Sequence, residues 1–534
     1  MECEEAPSPS YFGRCFFVMP YSKCISASVL GVDGKSITVE VDLSSGLPQV
    51  NLVGLPDPSV RESVERVRAA MRNSGFKFPL ERVTVNLAPA DLRKEGTAFD
   101  LAIAAAILTA SGQMDADAFD GMLVIGELAL NGGLRPVPGV LPMVEEARTR
   151  GLRRVLLPPD NALEAALVGG MDIYAAADLS SLALCGGSGD GWERLAWHPS
   201  AGNPTACEPG SSGEGAAAPD YADVFGQHHA KRALMIAAAG RHNLLLSGPP
   251  GTGKTMLIRR LPGILPPMSE EEALEVTKIF SVSGKLAASG SLVSERPFRT
   301  PHHTISTGGL IGGGSIPRPG EATLAHRGVL FLDELPEFPR SVLEVLRQPL
   351  EDREVTIARA RAVFRFPAHF QLAASMNPCP CGQHGSDVPG QRGCICSPVQ
   401  IARYRSRISG PLLDRIDLLV EVPRPQHADA MQPGMSTADM KSLITGAVKR
   451  QKDREQETGV AWNGDLAGKA LKHAAPLQAE GARLLQQAYD RLGISLRAHE
   501  RILKLARTIA DVEGSLQIQT AHVAEAIQYR RLEL

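Results

Sequence analysis

The run Gly248-Pro-Pro-Gly251-Thr-Gly253-Lys254-Thr255 follows an apolar stretch and opens a helix-forming segment. Glycines at this spacing let successive backbone N–H groups curl around a phosphate, the lysine adds a point charge, and the threonine hydroxyl suits magnesium. The chemistry is that of a nucleoside triphosphate, so Gly248, Gly251, Gly253, Lys254 and Thr255 are the expected ligands of its phosphates with Mg2+. Further on, GVLFLDELPEF places Asp333 and Glu334 after four apolar residues. At a strand's end Asp333 would hold the magnesium shell and Glu334 would act as general base on an attacking water. A third apolar run, HFQLAASMNP, leads to Asn377, which would orient that water from a neighbouring strand.

Just beyond Asn377, SMNPCPCGQHGSDVPGQRGCICSP holds four of the nine cysteines. Cys379, Cys381, Cys394 and Cys396 form two Cys-x-Cys pairs twelve residues apart, enough for four thiolates around one structural Zn2+. The spacing is tighter than a Cys-x-x-Cys knuckle; His384 could replace one ligand, and four free thiols are the alternative. Cys3, Cys15, Cys24, Cys185 and Cys207 read as free thiols of a reducing compartment.

These motifs need elements to carry them. At 534 residues with 43% hydrophobic and 22% charged positions, the chain is long enough for several cores. An acidic start, MECEEAPSPS, and the absence of any run of 18 apolar residues predict a cytoplasmic protein without a membrane segment. Residues 186–219, rich in Gly, Ser, Pro and Ala, read as a flexible linker. Before it, residues 23–185 alternate strand-like runs (ITVEVDL, RVTVNLA, MLVIGELAL, RVLLP) with helical ones such as Pro58 to Asn73, which predicts an α/β domain. After it, residues 220–424 form a second α/β domain with a parallel sheet, and 425–534 form a helical lid with amphipathic stripes. Residues 1–22 read as an extension.

The net charge of -3 excludes a globally basic nucleic-acid binder, so any such surface must be local. RPFRTPHHTISTGGLIGGGSIPRPGEATLAHRG, residues 296–328, reads as a mobile glycine-rich loop carrying Arg318 among other basic residues. REVTIARARAVFRF alternates as a β-hairpin with Arg359 and Arg361 near its tip; four arginines and one glutamate give residues 353–365 a charge of +3. Arg403, Arg405 and Arg407 add to this local excess. It suggests contact with phosphate, and with no base-reading motif any nucleic-acid binding would be to backbone; a solvated face or contacts between subunits are the alternatives.

The ordered motifs resemble the AAA+ class of ATPases. SGPLLDRID resembles the segment in which the magnesium-chelatase and MCM-like branch carries its arginine finger. The resemblance implies that Arg415 reaches the γ-phosphate of the next subunit in a homohexamer. GISLRAHERILKLARTIAD resembles the lid helix of that branch, with Arg497 as second sensor. LAPADLRKEGTAFDLAIAAAIL and LVIGELALNGGLRPVPGVLPMVEEAR resemble the Lon protease domain, but alignment puts Ala98 at the nucleophile and Leu141 near the lysine. Neither side chain can do that chemistry. In this order the segments resemble the ComM/YifB family. The resemblance implies an ATP-driven hexameric DNA translocase that promotes branch migration of joined strands in recombination and natural transformation, with loop and hairpin facing the central pore. A remodeller of a protein partner is the competing reading, as in chelatase motors; a nucleotide-gated DNA clamp is another.

Overall fold

The computed structural model describes residues 20–185, 190–198, 219–286, 291–314, 317–359, 362–385, 393–424, 434–492 and 495–530. Cys3, Cys15, Cys207 and Arg361 lie outside the described residues. Two compact units result. One comprises Met1–Ala206 with Phe280–Leu292, and the other Cys207–Ile279 with Val293–Leu534.

In the first unit a seven-stranded sheet has the order Gln49–Val53, Arg82–Ala88, Asp33–Ser44, Tyr21–Leu30, Met122–Val124, Arg154–Leu157, Asp172–Ala175. The four expected strands are there, but MLVIGELAL breaks at Gly126. Its N–H donates to the Ala98 carbonyl at 3.0 Å and its carbonyl accepts from Leu101 N–H at 3.1 Å, which ties the break to the start of a helix. The helix Pro58–Asn73 forms as expected, started by Asp57, whose side chain accepts the Val60 N–H, with proline at the first position. The helix Asp100–Ala110 is apolar all round and buried at nearly every position, as a central core helix must be. Ala98 and Leu141, the positions aligned with the Lon nucleophile and lysine, are both buried. Cys24 and Cys185 are buried free thiols, as expected.

The second unit is built on five parallel strands in the order Phe298–Arg299, Val329–Leu332, Gln371–Met376, Leu244–Ser247, Leu418–Glu421. The central strands are mostly apolar and wholly buried because both faces are covered. Among the helices that cover them are Thr437–Thr458 and Leu496–Val512, whose Ile444, Ile502 and Ile509 belong to the same buried cluster as Leu244, Leu246 and Phe331. Buried polar bonds add to that packing, as where Gln451 Nε2 donates to the Ala239 carbonyl at 2.8 Å. The carboxy-terminal helices and the sheet therefore share one core.

The glycine-rich segment expected as a loop is folded where it is described. Thr307–Ile311 is a short helix capped by Ser306, Gly312–Gly313 pairs with Arg318–Pro319, and Glu321–Leu324 is helical. A Cβ at Gly320 would lie 2.3 Å from the Gly312 nitrogen, so these glycines serve close backbone approach. The hairpin also forms, pairing Glu354–Arg359 with Ala362–Pro367.

In the first unit Arg66 Nε donates to the fully buried Asp100 at 2.7 Å. Burial pushes the Asp100 carboxyl up from 3.8 to about 6, with Arg66 opposing it. A raised folded-state pKa means the folded chain holds the extra proton between these values, so this group's contribution to stability falls as pH rises through that window. Arg66→Ala would leave the carboxylate buried without its cation, a loss of about 3 kcal/mol in such pairs. Protonation relieves the unpaired charge in acid. The destabilisation, read from urea unfolding of the full chain, is expected to be larger at pH 8 than at pH 5; an equal loss at both would exclude the buried charge as its cause.

Candidate nucleotide site

Strand register assembles the site. Ser247 lies level with Met376 and Leu332 with Ala374, so Gly248, Asp333 and Asn377 emerge together at the carboxyl edge of the sheet. Gly248 N–H donates to the Met376 carbonyl at 3.2 Å. A Cβ at Gly248 would meet the Val422 carbonyl oxygen at 2.2 Å, and Gly251 and Gly253 have φ of 81° and 86°, so glycine is needed at all three places.

Lys254 Nζ donates to the carbonyls of Gly248 at 2.6 Å and Pro249 at 2.8 Å, and to Asn377 Oδ1 at 3.3 Å. Burial lowers its pKa, with Asp333 and Glu334 favouring the charged form. These weak neutral acceptors are the ones that phosphate oxygens would replace, and the donor set fits a triphosphate. Thr255 Oγ1 donates to Asp333 Oδ2 at 3.0 Å, placing a hydroxyl and a carboxylate side by side as a magnesium site requires. Glu334 is exposed with φ 54°, a conformation costly for a non-glycine residue, and its N–H donates to Ser375 Oγ at 3.3 Å.

Ser375 is the residue that sequence reading missed. It is buried, its hydroxyl donates to Asp333 Oδ1, and it holds the Glu334 N–H as well. The only signal was its position two residues before Asn377, on the same face of a strand.

Three family profiles match the chain: Magnesium chelatase, subunit ChlI, over residues 220–430; Subunit ChlI of Mg-chelatase, over 39–161; and Magnesium chelatase, subunit ChlI C-terminal, over 434–530. Uncharacterized protein YifB of Salmonella typhimurium is 43% identical over 512 residues, covering 95% of this chain and 96% of its own. Competence protein ComM of Haemophilus influenzae is 45% identical over 508 residues, covering 95% and 97%. The chain belongs to the ComM/YifB family. The chain is also similar to Lon protease 2 of Bacillus subtilis, at 28% identity over 146 residues and 26% of each chain. The architecture of this ComM/YifB chain is thus a Lon-like α/β unit and an AAA+ chelatase-type unit with a parallel sheet and carboxy-terminal helices.

Arg415 and Arg497, read as finger and second sensor, converge on Glu351. Arg415 Nη2 lies 2.5 Å and Arg497 Nη2 3.5 Å from Glu351 Oε1. Arg415 is 4% exposed, donates to the Pro411 carbonyl at 2.6 Å, and its Nε has no partner among the described residues. To touch a phosphate outside its own chain it would have to leave Glu351.

The cysteines meet as well. The four sulfurs lie within 4.8 Å of one another, with Cys379 3.4 Å from Cys381 and 3.7 Å from Cys394, and Cys381 3.7 Å from Cys394. Tetrahedral thiolates at about 2.3 Å from zinc stand about 3.8 Å apart, so the donor set fits the ion. His384 contributes its backbone N–H, donated to Cys379 Sγ at 3.4 Å, and is not part of the four-sulfur group.

Of the basic residues, Arg359 Nη2 donates to the Gly314 carbonyl at 2.8 Å, and Arg318 pairs with Gly313. Hairpin and glycine-rich segment therefore touch, and both arginines are exposed beside that contact. Several other candidates for phosphate contact are engaged within the chain: Arg296 with Glu272, Arg299 with Glu321, Arg327 with Glu275 and Arg407 with Glu337. Composition cannot tell a paired arginine from an available one.

If Ser375 orients Asp333, Ser375→Ala should raise the Mg2+ concentration needed for half-maximal ATP turnover about tenfold, the usual size for loss of a group that orients a metal ligand. An unchanged magnesium curve with uniformly lower turnover would assign Ser375 to packing alone.

Proposed function

We infer that this chain is a cytoplasmic ATP hydrolase that works as a hexameric motor on DNA and promotes branch migration of joined strands in recombination and natural transformation. The contact of Arg359 with Gly314 carries the reading, because it sets Arg359 and Arg318 together on an exposed surface without carboxylate partners among the described residues. The name of the Haemophilus relative, Competence protein ComM, supports the biological setting.

In this reading Lys254 and the glycine loop bind the phosphates of ATP, and Thr255 and Asp333 would hold a magnesium ion, whose chemistry would be to neutralise phosphate charge. Glu334 takes the proton of the attacking water, and Asn377 orients it. Arg415 and Arg497 act on the nucleotide of the neighbouring subunit, Arg415 exchanging Glu351 for the γ-phosphate. Arg318, Arg359 and Arg361 contact phosphates of the DNA, so binding is independent of base sequence and weakens with salt. The four cysteines hold a structural zinc.

A labelled synthetic Holliday junction tests the motor. The parent protein should resolve it with ATP, and Lys254→Ala should not. Vigorous ATP hydrolysis by intact rings without junction turnover would overturn the DNA reading in favour of a protein substrate.

A finer test concerns the hairpin. Arg359→Ala with Arg361→Ala is expected to abolish the stimulation of ATP turnover by DNA and leave turnover without DNA intact; equal loss of both would make the pair part of ring assembly.

A further inference from the structure

We propose that the metal-bearing cysteine cluster is a strut of the phosphate loop, so that metal occupancy sets nucleotide affinity. The inference rests on the ATP and zinc readings above and adds a mechanical link between them.

The link is the six-residue segment Asn377-Pro378-Cys379-Pro380-Cys381-Gly382. At its start Asn377 Oδ1 accepts from Lys254 Nζ. At its end Gly382 lies so close to Pro250 that a Cβ would stand 2.6 Å from Pro250 Cδ. The segment thus meets the phosphate loop at both ends. Its two cysteines are two of the four cluster members, and its two prolines restrict the backbone between contacts.

Protein bonds also hold the segment. Gly382 N–H donates to the Cys379 carbonyl at 2.9 Å, and Arg405 Nε donates to the Pro378 carbonyl at 3.2 Å. The remaining cluster members, Cys394 and Cys396, stand directly before the helix Pro398–Arg405, which is capped by Ser397 and carries that same Arg405. A bound metal therefore closes a loop that runs from the segment through both cysteine pairs and the helix back to Pro378. With the ion in place Gly382 is a fixed stop behind Pro250. Without it the stop depends on bonds that water can replace, and the loop that must present its N–H groups to phosphate loses a wall.

The full-length protein is the material for the test. Metal content is measured by mass spectrometry and nucleotide affinity by binding of a fluorescent ATP analogue, without turnover. The expected result is one zinc per chain, affinity about tenfold weaker after chelation under reducing conditions, and recovery when Zn2+ is restored. Gly382 has φ of 77°, so Gly382→Ala both strains the turn and presses a methyl group on Pro250; the variant that still carries one zinc per chain should bind more weakly. Metal-free protein that is folded by circular dichroism and binds as tightly as the loaded form would overturn the proposal, as would a zinc-loaded Gly382→Ala protein of unchanged affinity. Failure to take up zinc would defeat the metal reading and leave ATP binding standing, whereas zinc uptake without nucleotide binding would defeat the ATP reading.

Discussion

Parallel pairing of Leu244–Ser247 with Gln371–Met376, and of that strand with Val329–Leu332, is the constraint on which the second unit depends. Side chains alternate along a strand, so a slip of one residue would turn Ser375 away from Asp333 and take Asn377 from Lys254. Register is protected by burial. Every residue of these three strands is buried, and a slipped strand would carry its neighbours' packing with it.

Around that sheet the ionised groups fall into two classes. Those that hold the fold are paired within the chain: Arg241 and Arg296 share Glu272, and Arg454 and Arg507 share Asp511. Those read as functional are held more weakly. Lys254 rests on backbone carbonyls and one amide, Glu334 is exposed in a strained conformation, and Arg497 is largely exposed at 3.5 Å from Glu351. A group that must bind phosphate cannot also be fully satisfied by its own chain. Arg415 departs from this pattern, since it is buried on Glu351.

The Lon-like unit keeps fold and chemistry apart. It has a sheet, an apolar helix and the Arg66–Asp100 pair, and the aligned positions Ala98 and Leu141 are buried and apolar. Fold and chemistry are separable because the core is set by many apolar contacts and the reaction by two side chains.

Local patterns in the sequence determined a great deal: the phosphate loop, the paired carboxylates after an apolar run, the alternation of Glu354–Arg359 with Ala362–Pro367, the helix Pro58–Asn73 and the clustering of cysteines. Each rests on spacing along the chain, which is set by the 2.0 and 3.6 periods of strand and helix. What joins residues far apart was decided by tertiary structure alone. The contact of Ser375 with Asp333, the convergence of Arg415 and Arg497 on Glu351, the seat of Gly382 on Pro250, and the pairing that removes Arg296, Arg299 and Arg327 from the free basic surface all depend on which strands neighbour each other and in what register. That order is set by the burial of the whole core, a sum over many long-range contacts that no window of sequence contains.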